Sequence, residues 1–188
     1  MAHRNPWYAL SPPLRTRVFI NKGINDRHFA VVMDKPTACD QQIYQVKAHS
    51  EGHEALIGIL LNSTITALFA ELIGRRNFGE GVLWLATYEV AQFPILDLRL
   101  IGDSDRAFIQ RAFAGMSSRR PLPIKDEVTQ CDRRALDEII GRLLGLSSLE
   151  LNAAYASVVS LVEERLSKAS SLKARKGSTM EESPQEDD

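Results

Sequence analysis

An apolar run from Ala55 to Ile73 constrains the fold more than any other part of the sequence. Within residues 53–73, Leu, Ile and Phe side chains recur every three or four residues, which is the spacing of an α-helix. The stripe is too wide for a surface helix, so we expect one helix over residues 53–73 that other elements cover on most sides. The run also contains five polar residues, among them Glu71. A membrane span is therefore a poor match, and we expect no membrane contact.

Short β-strands are expected on both sides of this helix. Three segments at residues 15–20, 28–33 and 42–47 are rich in Val, Ile, Phe and Tyr, and turn-forming residues separate them. Gly74 lies where a left-handed helix C-cap is expected. The segment "VLWLATY" at 82–88 predicts one further strand.

The remainder of the chain has helical character. Asp103 or Ser104 can begin a helix that ends near Gly115, a linker "SSRRPLPI" follows, and Asp132 can begin a second helix that Gly145 stops. Ser147 and Glu150 form an S-x-x-E capping box that begins a third helix. After Ser171 the sequence is polar and basic and then acidic, which is typical of a disordered tail.

These elements predict an α+β fold, with a small mixed or antiparallel β region packed on a long buried helix and a helical C-terminal part. We expect residues 1–100 to form the α+β domain, residues 101–170 the helical part and residues 171–188 the disordered tail. The two cysteines, Cys39 and Cys131, are far apart and form no CxxC motif. This argues against a disulfide framework or a zinc site and favours a cytoplasmic protein.

Charged residues point to two candidate contacts with nucleic acid. The chain has a net charge of −1, so such a contact must come from a local patch. Arginine can bind phosphates or a guanine edge, and asparagine can read adenine. The candidate residues are Arg75, Arg76 and Asn77 after the apolar run, and Arg15, Arg17, Lys22 and Arg27 near the N-terminus. The alternatives are that Arg75 and Arg76 only complement the dipole of the preceding helix, and that the N-terminal charges line a solvated sheet face.

Motifs for catalysis, metal or cofactor binding are weak. Gly74, Gly79 and Gly81 lack the lysine and hydroxyl of a P-loop. His49 and His53 are four residues apart, but Ser50 replaces the glutamate that an HExxH zinc motif requires. "SPPL" at 11–14 resembles the motif of amino-group methyltransferases, yet lacks the aromatic residue that stacks on the target base. We therefore expect no catalytic, metal or cofactor site in this chain.

Several segments resemble one known family, the C-terminal target-recognition region of N-6 adenine-specific DNA methyltransferases of restriction-modification systems. The main match is "ALIGILLNSTITALFAELIGRRNFGEGVLWLATYEVAQFPILD" at 55–97, with a Leu-Asn-Ser helix, a glycine-rich loop and a Pro-Ile exit. "RNPWYAL" at 4–10, "INDRHFAVVMD" at 24–34 and "DRRALDEIIGRLLGLSSLE" at 132–150 also fit. The resemblance spans most of residues 4–171.

The resemblance implies a non-catalytic module that binds double-stranded DNA and works with a methyltransferase catalytic domain or subunit. S-adenosylmethionine is then expected only in that catalytic partner. It also implies that Asn62, Ser63 and Thr66 satisfy polar groups in the core, and that Tyr88 is a core residue. A protein-interaction or assembly module that uses the C-terminal helices is the alternative, and an independent enzyme is a third, weaker reading.

Overall fold

The computed structural model describes residues 12–50, 52–76 and 81–181, with side chains described as far as Ser171. Within these residues the chain forms an α+β fold, as the sequence predicts. The strands are β1 (Thr16–Asn21), β2 (Gly23–Ile24), β3 (Ala30–Thr37), β4 (Ile43–Val46), β5 (Arg75–Arg76) and β6 (Leu83–Trp84). The helices are α1 (His53–Leu60), α2 (Thr64–Ile73), α3 (Thr87–Val90), α4 (Asp103–Ser117), α5 (Ile124–Glu127), α6 (Cys131–Leu143) and α7 (Ser148–Glu181).

The first sheet is antiparallel and has the strand order β3-β1-β4. Val18 and Ile20 of β1 are buried on the face that packs on α1. The helix lies directly on this face, because a Cβ atom at Gly58 would stand only 2.6 Å from the side chain of Val32 and 2.7 Å from that of Val18. A glycine at position 58 is thus a requirement of close packing.

The single helix predicted for residues 53–73 is wrong, because two helices, α1 and α2, replace it. They meet at an angle of 69°. No single helix among the described residues is long and apolar enough to span a membrane; α1 and α2 satisfy those criteria only as a bent pair.

The break has a local cause in the Leu-Asn-Ser segment. Asn62 donates to the backbone oxygens of Gly58 and Ala30 and accepts from the Ala30 amide, at 2.8, 3.0 and 3.1 Å. Ser63 caps α2 by accepting from the Thr66 amide at 3.2 Å. Short polar side chains that bind nearby backbone groups compete with helix continuation in this way. The predicted role of Asn62, Ser63 and Thr66 in satisfying core polar groups agrees with these bonds.

The second sheet, called the small sheet below, has the order β2-β6-β5 and is also antiparallel. The predicted left-handed cap at Gly74 is wrong: its φ and ψ are −69° and 155°, and the chain enters β5 directly. A Cβ atom there would lie 2.7 Å from the Ala70 oxygen and 2.8 Å from Leu83, so close approach explains the glycine. The strand predicted at 82–88 is shorter than expected, because α3 begins at Thr87.

The C-terminal helices complete the core. One apolar cluster joins Leu56 and Leu60 of α1 with Ile109 of α4 and Leu136 of α6. The linker "SSRRPLPI" leads into α5, a short helix that the sequence did not indicate. The division into residues 1–100 and 101–170 stays a prediction, although the two sides share this cluster.

Helix α7 begins at the expected capping box. The Ser147 hydroxyl accepts from the Glu150 amide at 3.3 Å, and the Glu150 carboxylate accepts from the Ser147 amide at 2.8 Å. The helix continues to Glu181, past Ser171, where the sequence predicts that the tail begins. Residues 182–188 of the expected tail lie outside the described residues.

Polar groups at the start of α2 are satisfied from α6. Asp137 of α6 is fully buried and accepts from the amide and the hydroxyl of Thr64 at 2.7 and 2.6 Å. The same hydroxyl accepts from Nε of Arg133 at 3.1 Å. Burial raises the pKa of Asp137, against the nearby charge of Arg133 and these hydrogen bonds. The N-terminus of α2 is therefore held by an internal carboxylate.

Candidate nucleic-acid interface

The small sheet presents one polar–aromatic row to solvent. Gly23, Trp84 and Arg75 are opposite one another across the three strands, and Ile24, Leu83 and Arg76 form the next row. Opposite residues in antiparallel strands share a face, and successive residues alternate between faces. Because Leu83 is fully buried, the second row faces the core, and Arg75 and Trp84 point outward.

Arg75 is oriented from two sides. Its Nε donates to Oε1 of Glu89 at 2.9 Å, and its guanidinium carbon lies 5.1 Å from the centre of the Tyr88 ring. Its side chain nevertheless remains 58% exposed. The prediction that Tyr88 is a core residue is wrong, since Tyr88 is 54% exposed. It begins the short helix α3 and supports the arginine from the surface.

Glu89 connects this arrangement to the backbone. It is buried, and its Oε2 accepts from the Ala86 amide at 2.6 Å at the start of α3. One carboxylate thus caps α3 and aligns Arg75. A guanidinium held between a carboxylate and an aromatic ring loses little conformational freedom on binding a further group.

Two more candidate cations border this row. The ammonium of Lys22 lies 4.9 Å from the centre of the Tyr44 ring, and the Lys22 carbonyl accepts from the Leu85 amide at 2.8 Å. Arg27 is exposed, its Nε is 3.9 Å from Asp26, and it lines the same open depression as Gly23. The surface of Arg75, Trp84 and Tyr88, bordered by Lys22 and Arg27, is named the aromatic–cationic face below.

The other candidate residues are not on this face. Arg76 points inward with Leu83 and is half-buried. Arg15 and Arg17 lie at the opposite end of β1; at about 3.3 Å per residue, Arg17 is roughly 17 Å from Lys22 along the strand. The Nε of Arg17 donates to the Met33 oxygen at 2.9 Å. Asn77 lies outside the described residues. A DNA-binding role for the seven residues stays a prediction.

A buried ion cluster supports the loops behind the face. Arg165 of α7 binds Glu71 of α2 through Nε at 3.1 Å and Nη2 at 2.7 Å. It also donates to the carbonyl oxygen of Gly81, before β6, and to that of Asn25, after β2, the latter at 2.6 Å. Glu71 additionally binds Nε2 of His28 at 2.9 Å. One guanidinium therefore ties α7 to α2 and to both loops.

The sequence contained a signal for this cluster that we did not use. Tyr155, Val158, Val162 and Ala169 form the buried stripe of α7, and Arg165 lies on the same stripe. A charged residue on a buried stripe needs a partner of opposite charge. Glu71 within the apolar run is such a partner.

The electrostatics of Glu71 reflect these contacts. Burial alone would raise the pKa of Glu71, but hydrogen bonds from His28 and Arg165 and the charge of Arg165 outweigh it and hold the pKa below its usual value. Glu71 is thus an anion within the core. Among the described residues, no group of His, Cys, Asp and Glu side chains is arranged to hold a metal ion.

Comparison with known families identifies the chain. Residues 1–129 match the family model described as the C-terminal domain of the type II methyltransferase M.Eco57I, which is more than half of the chain. The chain belongs to the M.Eco57I C-terminal-domain family. This confirms the resemblance to the C-terminal part of a DNA methyltransferase. No curated protein and no solved structure showed a significant match.

The family range and the structural elements do not coincide. The M.Eco57I C-terminal-domain match includes both sheets, the bent helix pair, α4 and α5. Helices α6 and α7 begin after its last residue. Arg165, which supports the aromatic–cationic face from behind, therefore lies outside the matched range.

Proposed function

We propose that this chain is a non-catalytic DNA-recognition module of a type II restriction-modification methyltransferase, and that it binds double-stranded DNA through the aromatic–cationic face. The observation that carries the proposal is the fixed orientation of an exposed guanidinium, Arg75, on a rigid sheet. Positioned guanidinium groups bind phosphate oxygens well because their donors match the geometry of the anion. Lys22 and Arg27 add positive charge at the border of the same surface.

The family supports the role of partner rather than of independent enzyme. A C-terminal domain of a methyltransferase is expected to act beside a catalytic domain. In this proposal S-adenosylmethionine is bound by that domain or subunit, and the present chain contributes affinity and register on the DNA. The modest local charge suits a module whose affinity increases when it is linked to a second DNA-binding surface.

Replacing Arg75 by alanine is expected to weaken binding to a DNA duplex by about threefold to tenfold, as for the loss of one charge-assisted hydrogen bond. Fluorescence anisotropy with a labelled duplex measures the effect. Arg75→Lys is expected to recover part of the loss, because the charge returns without the planar group.

Arg99→Ala is the matched control. Arg99 is 89% exposed, binds Asp97 as Arg75 binds Glu89, and lies outside the aromatic–cationic face. Its loss changes the net charge equally and is expected to leave affinity within about twofold, as for an exposed ion pair with little energetic weight. Equal effects of both substitutions, with thermal unfolding unchanged, would argue against the proposed face.

A second candidate function is protein interaction, which an exposed apolar groove favours. Phe69 of α2, Ile95 and Leu144 of α6 line a cavity of about 260 Å³, and each remains more than one-third exposed. Apolar surface left open after folding is typical of an interaction site. If a second copy occupies the groove, wild-type protein should self-associate in sedimentation experiments and Leu144→Glu should remain monomeric. Identical sedimentation of the two proteins would exclude association through this groove.

A further inference from the structure

We propose that Trp84 is a stacking site for an unpaired nucleobase, so that the aromatic–cationic face binds DNA with an exposed base more tightly than a fully paired duplex. This inference rests on the proposed DNA-binding function and specifies the form of DNA that the face recognises.

The first argument is the exposure of Trp84. It is 44% exposed in the middle of the small sheet, although tryptophan is mostly buried in folded proteins. Its neighbour along the strand, Leu83, is fully buried, so the strand itself is well packed. The exposure therefore comes from the outward-facing row and not from a loose chain end.

The second argument is that the indole is held in place. A Cβ atom built at Gly23 would lie 3.4 and 3.5 Å from Cζ3 and Cε3 of Trp84. The six-membered ring thus lies against the glycine backbone of β2, while the residue remains exposed on its other side. Covering Gly23 accounts for one side of the ring and leaves a flat apolar surface toward solvent. A fixed aromatic surface is the feature on which bases of single-stranded nucleic acids stack.

The third argument is the charge around the ring. Arg75 is opposite Trp84 in the sheet, and Lys22 and Arg27 flank Gly23. The described carboxylates nearest to this row are Glu89, which is buried against Arg75, and Asp26, which lies 3.9 Å from Arg27. An aromatic surface among cations suits a polymer that carries both phosphates and flat rings. A protein partner would have to match the same cations with carboxylates.

The inference also explains why the aromatic residues of the face have different surroundings. Tyr88 is covered by the Arg75 guanidinium, at 5.1 Å from its ring centre. Trp84 has only the glycine backbone of β2 on one side. In a fully paired duplex every base is stacked inside the helix and cannot reach the indole. A base that has left the stack can, and stacking on an aromatic side chain typically changes affinity by about tenfold per base.

Tryptophan fluorescence gives a direct test. The chain has two tryptophans, so a Trp7→Phe variant leaves Trp84 as the sole emitter. The probes are two DNA duplexes of equal length, one fully paired and one with a single unpaired 2-aminopurine in the middle. Binding of the unpaired probe is expected to quench both Trp84 and 2-aminopurine, and to be about tenfold tighter than binding of the paired probe.

Substitutions at Trp84 separate stacking from general DNA binding. Trp84→Ala should abolish the preference for the unpaired probe and change affinity for the paired duplex by less than about twofold. Trp84→Phe should retain most of the preference, because the ring can still stack. Thermal unfolding of both variants checks that the small sheet is intact, and Trp84→Phe keeps the test valid if Trp84→Ala does not fold.

Three outcomes overturn the inference. Equal affinity of the Trp7→Phe protein for the two probes, or binding of the unpaired probe without quenching, excludes the stacking site while leaving duplex recognition intact. An equal loss of affinity for both probes in Trp84→Ala assigns the ring to general DNA contact. Absence of binding to either probe at low salt contradicts the proposed function itself.

Discussion

Replacing Arg165 by methionine is expected to lower the free energy of unfolding by about 3–5 kcal/mol, the usual cost of removing one partner of a buried ion pair. The substitution leaves Glu71 buried with only His28 as its side-chain partner. It also removes the donor that the carbonyl oxygens of Gly81 and Asn25 share. Urea unfolding followed by circular dichroism measures the loss.

Lys168→Met on the same helix is the matched control. The Lys168 ammonium is 3.8 Å from Glu164, and both side chains are more than half exposed. An exposed pair of this kind contributes little, so we expect a change within about 0.5 kcal/mol. Similar stabilities for Arg165→Met and Lys168→Met would show that the buried cluster does not hold α7 in place.

The pH dependence of the Arg165→Met effect has a defined sign. In the wild-type protein the pKa of Glu71 is lowered from its ordinary value of 4.5, so its stabilising contribution is present above that value and is lost as the pH falls through the folded-state pKa. Without Arg165, burial is opposed by fewer hydrogen bonds and the pKa of Glu71 rises. The stability difference between the two proteins should therefore be largest near neutral pH and narrow as the pH falls below 4.5. A difference that stays constant down to acid pH would assign the loss to packing.

DNA affinity is expected to fall by about tenfold or more when salt is raised from 50 to 200 mM, because binding to phosphates releases condensed counterions. If Arg75, Lys22 and Arg27 each neutralise one phosphate, a plot of log K against log salt has a slope of roughly −3. Anisotropy titrations at four or five salt concentrations give this slope directly. A flat plot would contradict recognition through the aromatic–cationic face.

Single substitutions should change the slope by defined steps. Lys22→Gln or Arg27→Gln is expected to make it less negative by about one unit, as for the loss of one phosphate contact. Arg15→Gln and Arg17→Gln provide the comparison at the other end of β1. If those two change the slope and the first two do not, the DNA lies along the outer face of the first sheet and not on the small sheet.

Local signals in the sequence predicted the elements whose cause is local. The strands near residues 15–20, 28–33 and 42–47, the capping box of Ser147 and Glu150, and the family resemblance all depend on residues close together in the chain. The break at Asn62 also has a sequence signal, since Asn-Ser-Thr favours a helix start. The apolar spacing on both sides concealed it, because α1 and α2 are each amphipathic and only three residues separate them.

The sequence by itself determined that this chain is an α+β protein of the M.Eco57I C-terminal-domain family, because periodicity and motif spacing are properties of neighbouring residues. Only the tertiary structure decided that Arg75 faces solvent and Arg76 the core, since that choice depends on which row of the small sheet packs on Ala70 and Leu85. It also decided that Tyr88 orients Arg75 and that Arg165 reaches Glu71. These pairs are 13 and 94 residues apart, and their contact exists only once the helices and sheets have packed.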